Sequence, residues 1–437
     1  MIRSLRRQWD TEGLRTLYKP IVVAAIFILA AILGARATPR LVTLAVLALG
    51  GPVVFVVLAR QPAWGLLALI PVSLMLPFEI GTGTQANVNA TMLLLAFLIG
   101  AWGVDSMVRP AHRPLVPSKA VLPALAFAVV AVLAFINGNI PWFAFGQPAS
   151  LKAQVGGLAV FLLSIGAFLL MTYQIQGLCW LQRLTWLFLA LGGVYIAGQL
   201  LPGRFLVDLF IHGSTRSLFW VWLAALAFSQ AAFNRRLAPG WRLMLGALVL
   251  ATLYVSFIKT RWWVSGWLPP LVAIAIIVWI AAPRKALLIT AAAGLVLAFS
   301  ANEIIEGMMA SEDYSALTRW EAWRVLAQII RVNPVLGLGP ANYYHYTPFY
   351  PIFGWYVHFS SHNQYVDIVA QTGIVGLVCF LWFVWEVGRL GWSMRERVPD
   401  GFAQAYLLGA LGGLGGTLAA GMLGDWGLPF VYNFHLD

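Results

Sequence analysis

A chain of 437 residues that is 61% hydrophobic and 10% charged, with a mean hydropathy of +0.82, does not fold as a soluble domain. Such domains carry about a quarter charged residues, and apolar surface in this excess has to face a bilayer. The net charge of +12 falls in short clusters between apolar runs. That pattern excludes a continuous nucleic-acid stripe and reads as topology signals and contacts for anionic lipid. Cys179 and Cys379 stand far apart in apolar context, so neither a disulfide framework nor a cysteine metal site is indicated.

The N-terminal MIRSLRRQWDTEGLRTLYKP is basic and runs into an apolar stretch without a small-residue cleavage site. It is expected to be a cytoplasmic tail before an uncleaved first span. Spans need roughly 17–25 mostly apolar residues. They are expected near 18–34, 41–59, 62–78, 88–108, 120–136, 153–172, 180–198, 216–233, 241–258, 265–282, 286–301, 363–388 and 402–423. Hydrocarbon offers the backbone no hydrogen-bond partner, so each should be a helix, and the short alternating segments of a β-barrel are not seen. The expected fold is all-α, a polytopic membrane protein of about 12–14 transmembrane helices.

Most of the 28 Lys and Arg fall on the side of the N-terminal tail: Arg60, then Arg109, Arg113 and Lys119, then Arg183, Arg235, Arg236, Arg242, Arg284, Lys285, Arg389, Arg395 and Arg397. By the positive-inside rule this side is cytoplasmic. Residues 302–362 then form a long outer loop, which opens on Glu303, Glu306, Glu312 and Asp313 and closes on aromatics. Long ordered loops are usually functional. Within this one, YSALTRWEAWRVLAQIIRV should be an amphipathic helix stopped by Asn333-Pro334, Gly337 and Gly339. The expected organisation is an N-terminal bundle over 1–301, a helical periplasmic loop over 302–362, and C-terminal spans over 363–437. The final GDWGLPFVYNFHLD resembles the approach to a further helix.

Of the outer basic residues, Arg36, Arg40, Lys152 and Arg204 suit snorkelling at span ends. Helical spacing puts Arg319 on an apolar stripe with Trp323, Leu326 and Ile330. Arg324, Gln328 and Arg331 share a solvated face with Glu321. A guanidinium aimed at a packed face must find a partner, which marks Arg319 for a site. Arg216, in HGSTRSLFW, and Arg261, in IKTRWWVSGW, are either interfacial anchors or members of the same site. Arginines converging from separate segments would hold a pyrophosphate in bidentate contacts and stabilise it as a leaving group.

His362 immediately precedes a span on the outer side, with His358 four residues earlier. Zinc would need both on one helical face, a third ligand and a Glu after the first His, where Phe359 stands; no metal is expected. His362, fixed by Asn363 and the span, suits general acid–base work, or it is a hydrogen-bonded structural residue. Asp367, one turn into the membrane, is costly unless paired and either orients a site or bonds Asn363. The aromatic stretch NYYHYTPFYPIFGWYVHF is an interfacial belt or a platform for sugar faces. P-loop and dinucleotide motifs are lacking, so a donor should arrive already activated in the membrane.

Taken together, LTRWEAW…IIRVNPVLGLGPANYY…SSHNQYVDIVAQTGIVGLVCF resembles the C-terminal region shared by the O-antigen ligase/O-antigen polymerase superfamily. The matching elements are Arg319 followed by Trp323, the turn through Asn333-Pro334 and Gly337-x-Gly339, and His362-Asn363 heading a span with Gly373 and Gly376. The resemblance covers about residues 210–390. It implies a fold like the C-type glycosyltransferases and an undecaprenyl-diphosphate-linked glycan as donor. It also implies an acceptor hydroxyl on lipid A core or a second glycan, and neither metal nor ATP. Periplasmic arginines would engage the diphosphate, carried here to Arg216, Arg261 and Arg319, and His362 would activate the acceptor. At the second arginine the family often shows Ser-Arg-Gly, where this chain has Thr260-Arg261-Trp262. The resemblance further implies the bacterial inner membrane as location. The competing reading is a transporter or flippase, which predicts ionisable residues near the bilayer midplane and broken helices in paired halves.

Overall fold

A computed structural model describes residues 61–80, 88–108, 118–259, 264–288 and 315–424. The spans expected near 18–34 and 41–59, nearly all of 286–301, the acidic opening of the long loop, Arg261 and the C-terminal tail lie outside the described residues. The chain divides into two compact units, Met1–Gly65 and Leu66–Asp437. Of the first, only 61–65 are described.

The described elements are helical apart from one antiparallel pair, β1 (Glu79–Ile80) and β2 (Val88–Asn89). In chain order the helices are α1 (Pro62–Met75), α2 (Ala90–Val108), α3 (Val121–Asn137), α4 (Leu151–Gln174), α5 (Leu178–Leu200), α6 (Ser217–Phe233) and α7 (Pro239–Leu253). There follow α8 (Val264–Ala281), α9 (Ser315–Ile330), α10 (Asn342–Tyr346), α11 (Gln364–Met394) and α12 (Phe402–Leu423). A π-turn, Tyr254–Lys259, prolongs α7. Seven described helices are long and apolar enough to cross a membrane: α2, α4, α5, α7 with its π-turn, α8, α11 and α12. Helices α1, α3 and α6 are shorter but equally apolar. The protein is an all-α polytopic membrane protein.

Water-driven burial cannot hold helices together inside lipid, so close packing has to. Helix α12 has small residues on the face it presents to α6 and α8. A Cβ added at Gly416 would lie 2.7 Å from Val221 and 2.9 Å from the Pro269 carbonyl; one at Gly412 would lie 2.6 Å from the Ala273 carbonyl. The register is antiparallel. Gln230, late in α6, donates to the carbonyl of Phe402 at the start of α12 (3.3 Å), whereas Val221, early in α6, meets Gly416 near the end. Arg242 closes the far end of α6 by donating to the carbonyls of Ala231 (2.9 Å) and Ala232 (3.3 Å), the favourable place for a cation on a helix.

The other half of the bundle is built on α3, α4 and α11, which share a core of Phe127, Val130, Phe161, Ile165 and Ile368. Helix α11 is not continuous: Gly373 has φ 72° and ψ −176°, far from helical values. A break leaves amides and carbonyls without intrahelical partners, and at this depth there is no water to serve them. The segment Pro334–Gly339 supplies the partners. Ile374 and Val375 amides donate to the carbonyls of Pro334 (2.9 Å) and Val335 (3.3 Å), and the carbonyls of Ala370 and Gln371 accept from Leu338 (2.9 Å) and Gly339 (3.1 Å).

The inserted segment is in turn clamped by side chains. Asn342 is fully buried; its amide donates to the carbonyls of Gly138 (2.9 Å) and Leu338 (2.8 Å), and its oxygen accepts from Ala149 (2.8 Å). Asn137 donates to the Gly337 carbonyl (3.0 Å), and Gln371 accepts from the Ala341 amide (3.2 Å). One asparagine thus ties the end of α3, the start of α4 and the insert together.

Two outcomes follow from this interlock. A Cβ at Gly373 would collide with the Val335 carbonyl in a conformation open to glycine alone, so Gly373→Ala should destabilise the protein by about 3 kcal/mol or more. Asn342→Ala leaves one amide and two carbonyls unpaired in a dry site and should cost about 2–4 kcal/mol. Thermal melting in detergent measures both, and wild-type melting would contradict the interlock.

Candidate functional site

Helix α9 forms where expected, and its apolar face is packed: Val325, Leu326, Ile329 and Ile330 bury against Phe143, Leu338, Tyr343, Tyr346 and Ala370. Arg324, Gln328 and Arg331 face outward. Arg324 holds Glu321 in a fork of 2.6 and 2.9 Å, and this hydrogen bond lowers the Glu321 carboxyl below its ordinary range. Arg319 and Trp323 stand half-buried between the two faces, one turn apart. The Trp323 indole N–H donates to the carbonyl of Ser361 (2.7 Å), so the helix is pinned to the residue that precedes His362.

His362 is half-buried and adopts φ 47°. A positive φ is uncommon outside glycine, with Asn, Asp and His the side chains that adopt it most often, and the contacts on either side of His362 hold it there. Ser361 is fully buried; its hydroxyl donates to the Asn363 carbonyl (2.9 Å) and accepts from the Asn363 amide (3.2 Å). Asn363 caps α11 by accepting from the amides of Tyr365 (3.0 Å) and Val366 (3.2 Å), an effective N-cap. The Asn363 side-chain oxygen is therefore occupied by the helix end, and Gln371 donates to the buried Asp367 carboxylate at 2.7 Å.

His358 lies elsewhere on the loop. Residues 356–363 are not helical, so the H-x-x-x-H spacing does not set the two imidazoles one turn apart. Its Nδ1 is 3.0 Å from the Tyr344 carbonyl and its ring stacks on Tyr344 at 4.8 Å. The neighbouring His345 has a buried, unpartnered Nε2. Burial, and secondarily the nearby His358, push its pKa below the ordinary histidine value.

The antiparallel register decides which sequence-selected residues share a level. The start of α11 meets the end of α12: Gln364 donates to the Gly424 carbonyl (3.2 Å), Asn363 to that of Met422 (3.4 Å) and Tyr365 to that of Leu418 (2.8 Å). The end of α12 meets the starts of α6 and α8, and these are linked by the Ser217 hydroxyl on the Ser265 carbonyl. Arg216 is the N-cap residue of α6, directly before Ser217, and half-buried. Arg216, the start of α8, Asn363 and His362 therefore lie at one end of the bundle, and Trp323 brings Arg319 of α9 toward the same end. Arg261 precedes α8 by three residues but is outside the described residues.

An apolar cavity of about 280 Å³ lined by Phe127, Ile165, Phe168, Met171, Phe380 and Phe383 lies farther down α11. Phe380 is 16 residues from the helix start, about 24 Å along the axis, so this space is not part of the polar site. Three contacts escape a reading of sequence: the Trp323–Ser361 bond, the Asn342 clamp and the docking of Pro334–Gly339 into α11. The one local signal that could have found any of them is Asn342, a polar residue at the head of the aromatic run.

No curated protein matches the chain. Residues 243–381 match the family described as O-antigen ligase, a stretch that takes in α7, α8, α9, the docked loop and the first part of α11. It includes the positions of Arg261, Arg319 and His362 and leaves out Arg216. With that stretch carried on membrane-crossing helices, this part of the chain is similar to the O-antigen ligase family.

Proposed function

We propose that this protein is a membrane glycosyltransferase that moves a glycan from an undecaprenyl-diphosphate donor to an acceptor hydroxyl at the periplasmic face of the bacterial inner membrane. The observation that supports it most is the gathering of Arg216, the start of α8 and His362 at one end of the bundle, with Arg319 on the helix pinned beside Ser361. The family match supports the reaction class.

In this reading the His362 imidazole takes the proton of the acceptor hydroxyl as that oxygen attacks the anomeric carbon. The bond from that carbon to the diphosphate breaks, and the undecaprenyl diphosphate departs with the bonding electrons. Arg319, with Arg216 and Arg261, holds the diphosphate and offsets the charge that grows on it, in a site where water screens little. The donor bond is already activated, so the step needs neither ATP nor a metal. The acceptor is lipid A core for a ligase and a second lipid-linked glycan for a polymerase.

Arg319→Ala and His362→Ala should each lower transfer by about 100-fold or more while leaving insertion unchanged. Arg216→Ala and Arg261→Ala should each cost about tenfold. The assay uses purified protein, lipid-linked donor and the two acceptors side by side. Wild-type rates in the Arg319 or His362 variants would overturn the assignment, and chelator is expected to change nothing.

A further inference from the structure

The two peptide planes that flank His362 are each held by a side chain, and one of those side chains comes from a different helix. Upstream, the Ser361–His362 peptide is fixed at its carbonyl by the Trp323 indole N–H at 2.7 Å, across 38 residues of sequence. Downstream, the His362–Asn363 peptide is fixed at its amide by the Ser361 hydroxyl at 3.2 Å. The φ and ψ of His362 are the rotations between these planes, so fixing both fixes the direction of Cα–Cβ and limits the imidazole to the positions that its own side-chain rotations reach. The positive φ of 47° is uncommon outside glycine, although histidine adopts it more readily than most side chains, and these two contacts fix it. Ser361 is fully buried, and its carbonyl needs a donor from within the protein.

We propose that Trp323 is a positioning residue for His362: its indole hydrogen bond to Ser361 locks the turn that aims the imidazole. Helix α9 thereby couples the donor-binding end of the site to acceptor activation. Arg319 lies one turn from Trp323 on the same helix, so a shift of α9 moves the guanidinium and releases or restores the turn together. This rests on the transferase reading above. It adds a residue that touches neither substrate nor reacting atom.

The test compares Trp323→Phe, which keeps an aromatic ring for packing but removes the donor, with Ser361→Ala and His362→Ala in the purified full chain. Trp323→Phe and Ser361→Ala should each lower kcat by roughly 10- to 100-fold, the range expected for a catalytic group displaced by about 1 Å. The KM for the lipid-linked donor should stay within about twofold, and the pH dependence of kcat should shift as the imidazole loses its fixed surroundings. Wild-type kcat and pH profile in Trp323→Phe, with His362→Ala inactive, would overturn the positioning role and leave the transferase reading standing. A lower rate in Trp323→Phe with an unchanged pH profile would mark packing alone and overturn it as well. An active His362→Ala would remove the group to be aimed, and both readings would fall.

Discussion

A helix that breaks inside a bilayer has to find partners for its exposed backbone, and the rest of this molecule is arranged around that requirement at Gly373. The partners are the carbonyls and amides of Pro334–Gly339, which exchange four hydrogen bonds with the two halves of α11. Each unpaired group there would cost several kcal/mol, so loop and helix can exist in these forms only together. The same exchange fixes where the described part of the long loop is held against the bundle. It therefore fixes where α9 and the 356–363 segment end up.

The interlock also separates two uses of a broken span. In transporters, broken helices line a path and their free ends meet ions or substrate. Here the break is filled by backbone of the same chain, and Asn342 seals its flank against α3 and α4. The charged and titratable groups gather instead at the ends of α6, α11 and α12, where close packing along the α12 glycines sets their common level. A rigid frame of this sort suits a site that must hold an imidazole and guanidinium groups in a constant relation while substrates come and go.

Much of this was legible in the residues. The spans are visible because each apolar run ends abruptly in charge, proline or glycine, and α9 is visible because its stripe of Leu326 and Ile330 opposes Arg324, Gln328 and Arg331. Helix α11 outruns its expected end near 388 and reaches Met394. Past the apolar run it continues as an ordinary surface helix, with Arg389 on Glu386 at 2.9 Å. The glycines of Val335–Gly339 were readable as a stop but not as an insert, because docking depends on a helix tens of residues away and leaves no local period. The same holds for Trp323, whose stripe position suggested packing, while the hydrogen bond that matters runs from its edge to Ser361. Long-range backbone pairing has no sequence signature short of the fold itself.

The shared diphosphate site is the claim on which the chemistry turns, and binding tests it without requiring turnover. Titrating purified wild-type protein, Arg319→Ala and Arg216→Ala with undecaprenyl diphosphate, free of sugar, should show each substitution weakening affinity by about tenfold or more, as for a lost charge-assisted contact. Equal affinity in all three proteins would contradict a diphosphate held between α6 and α9.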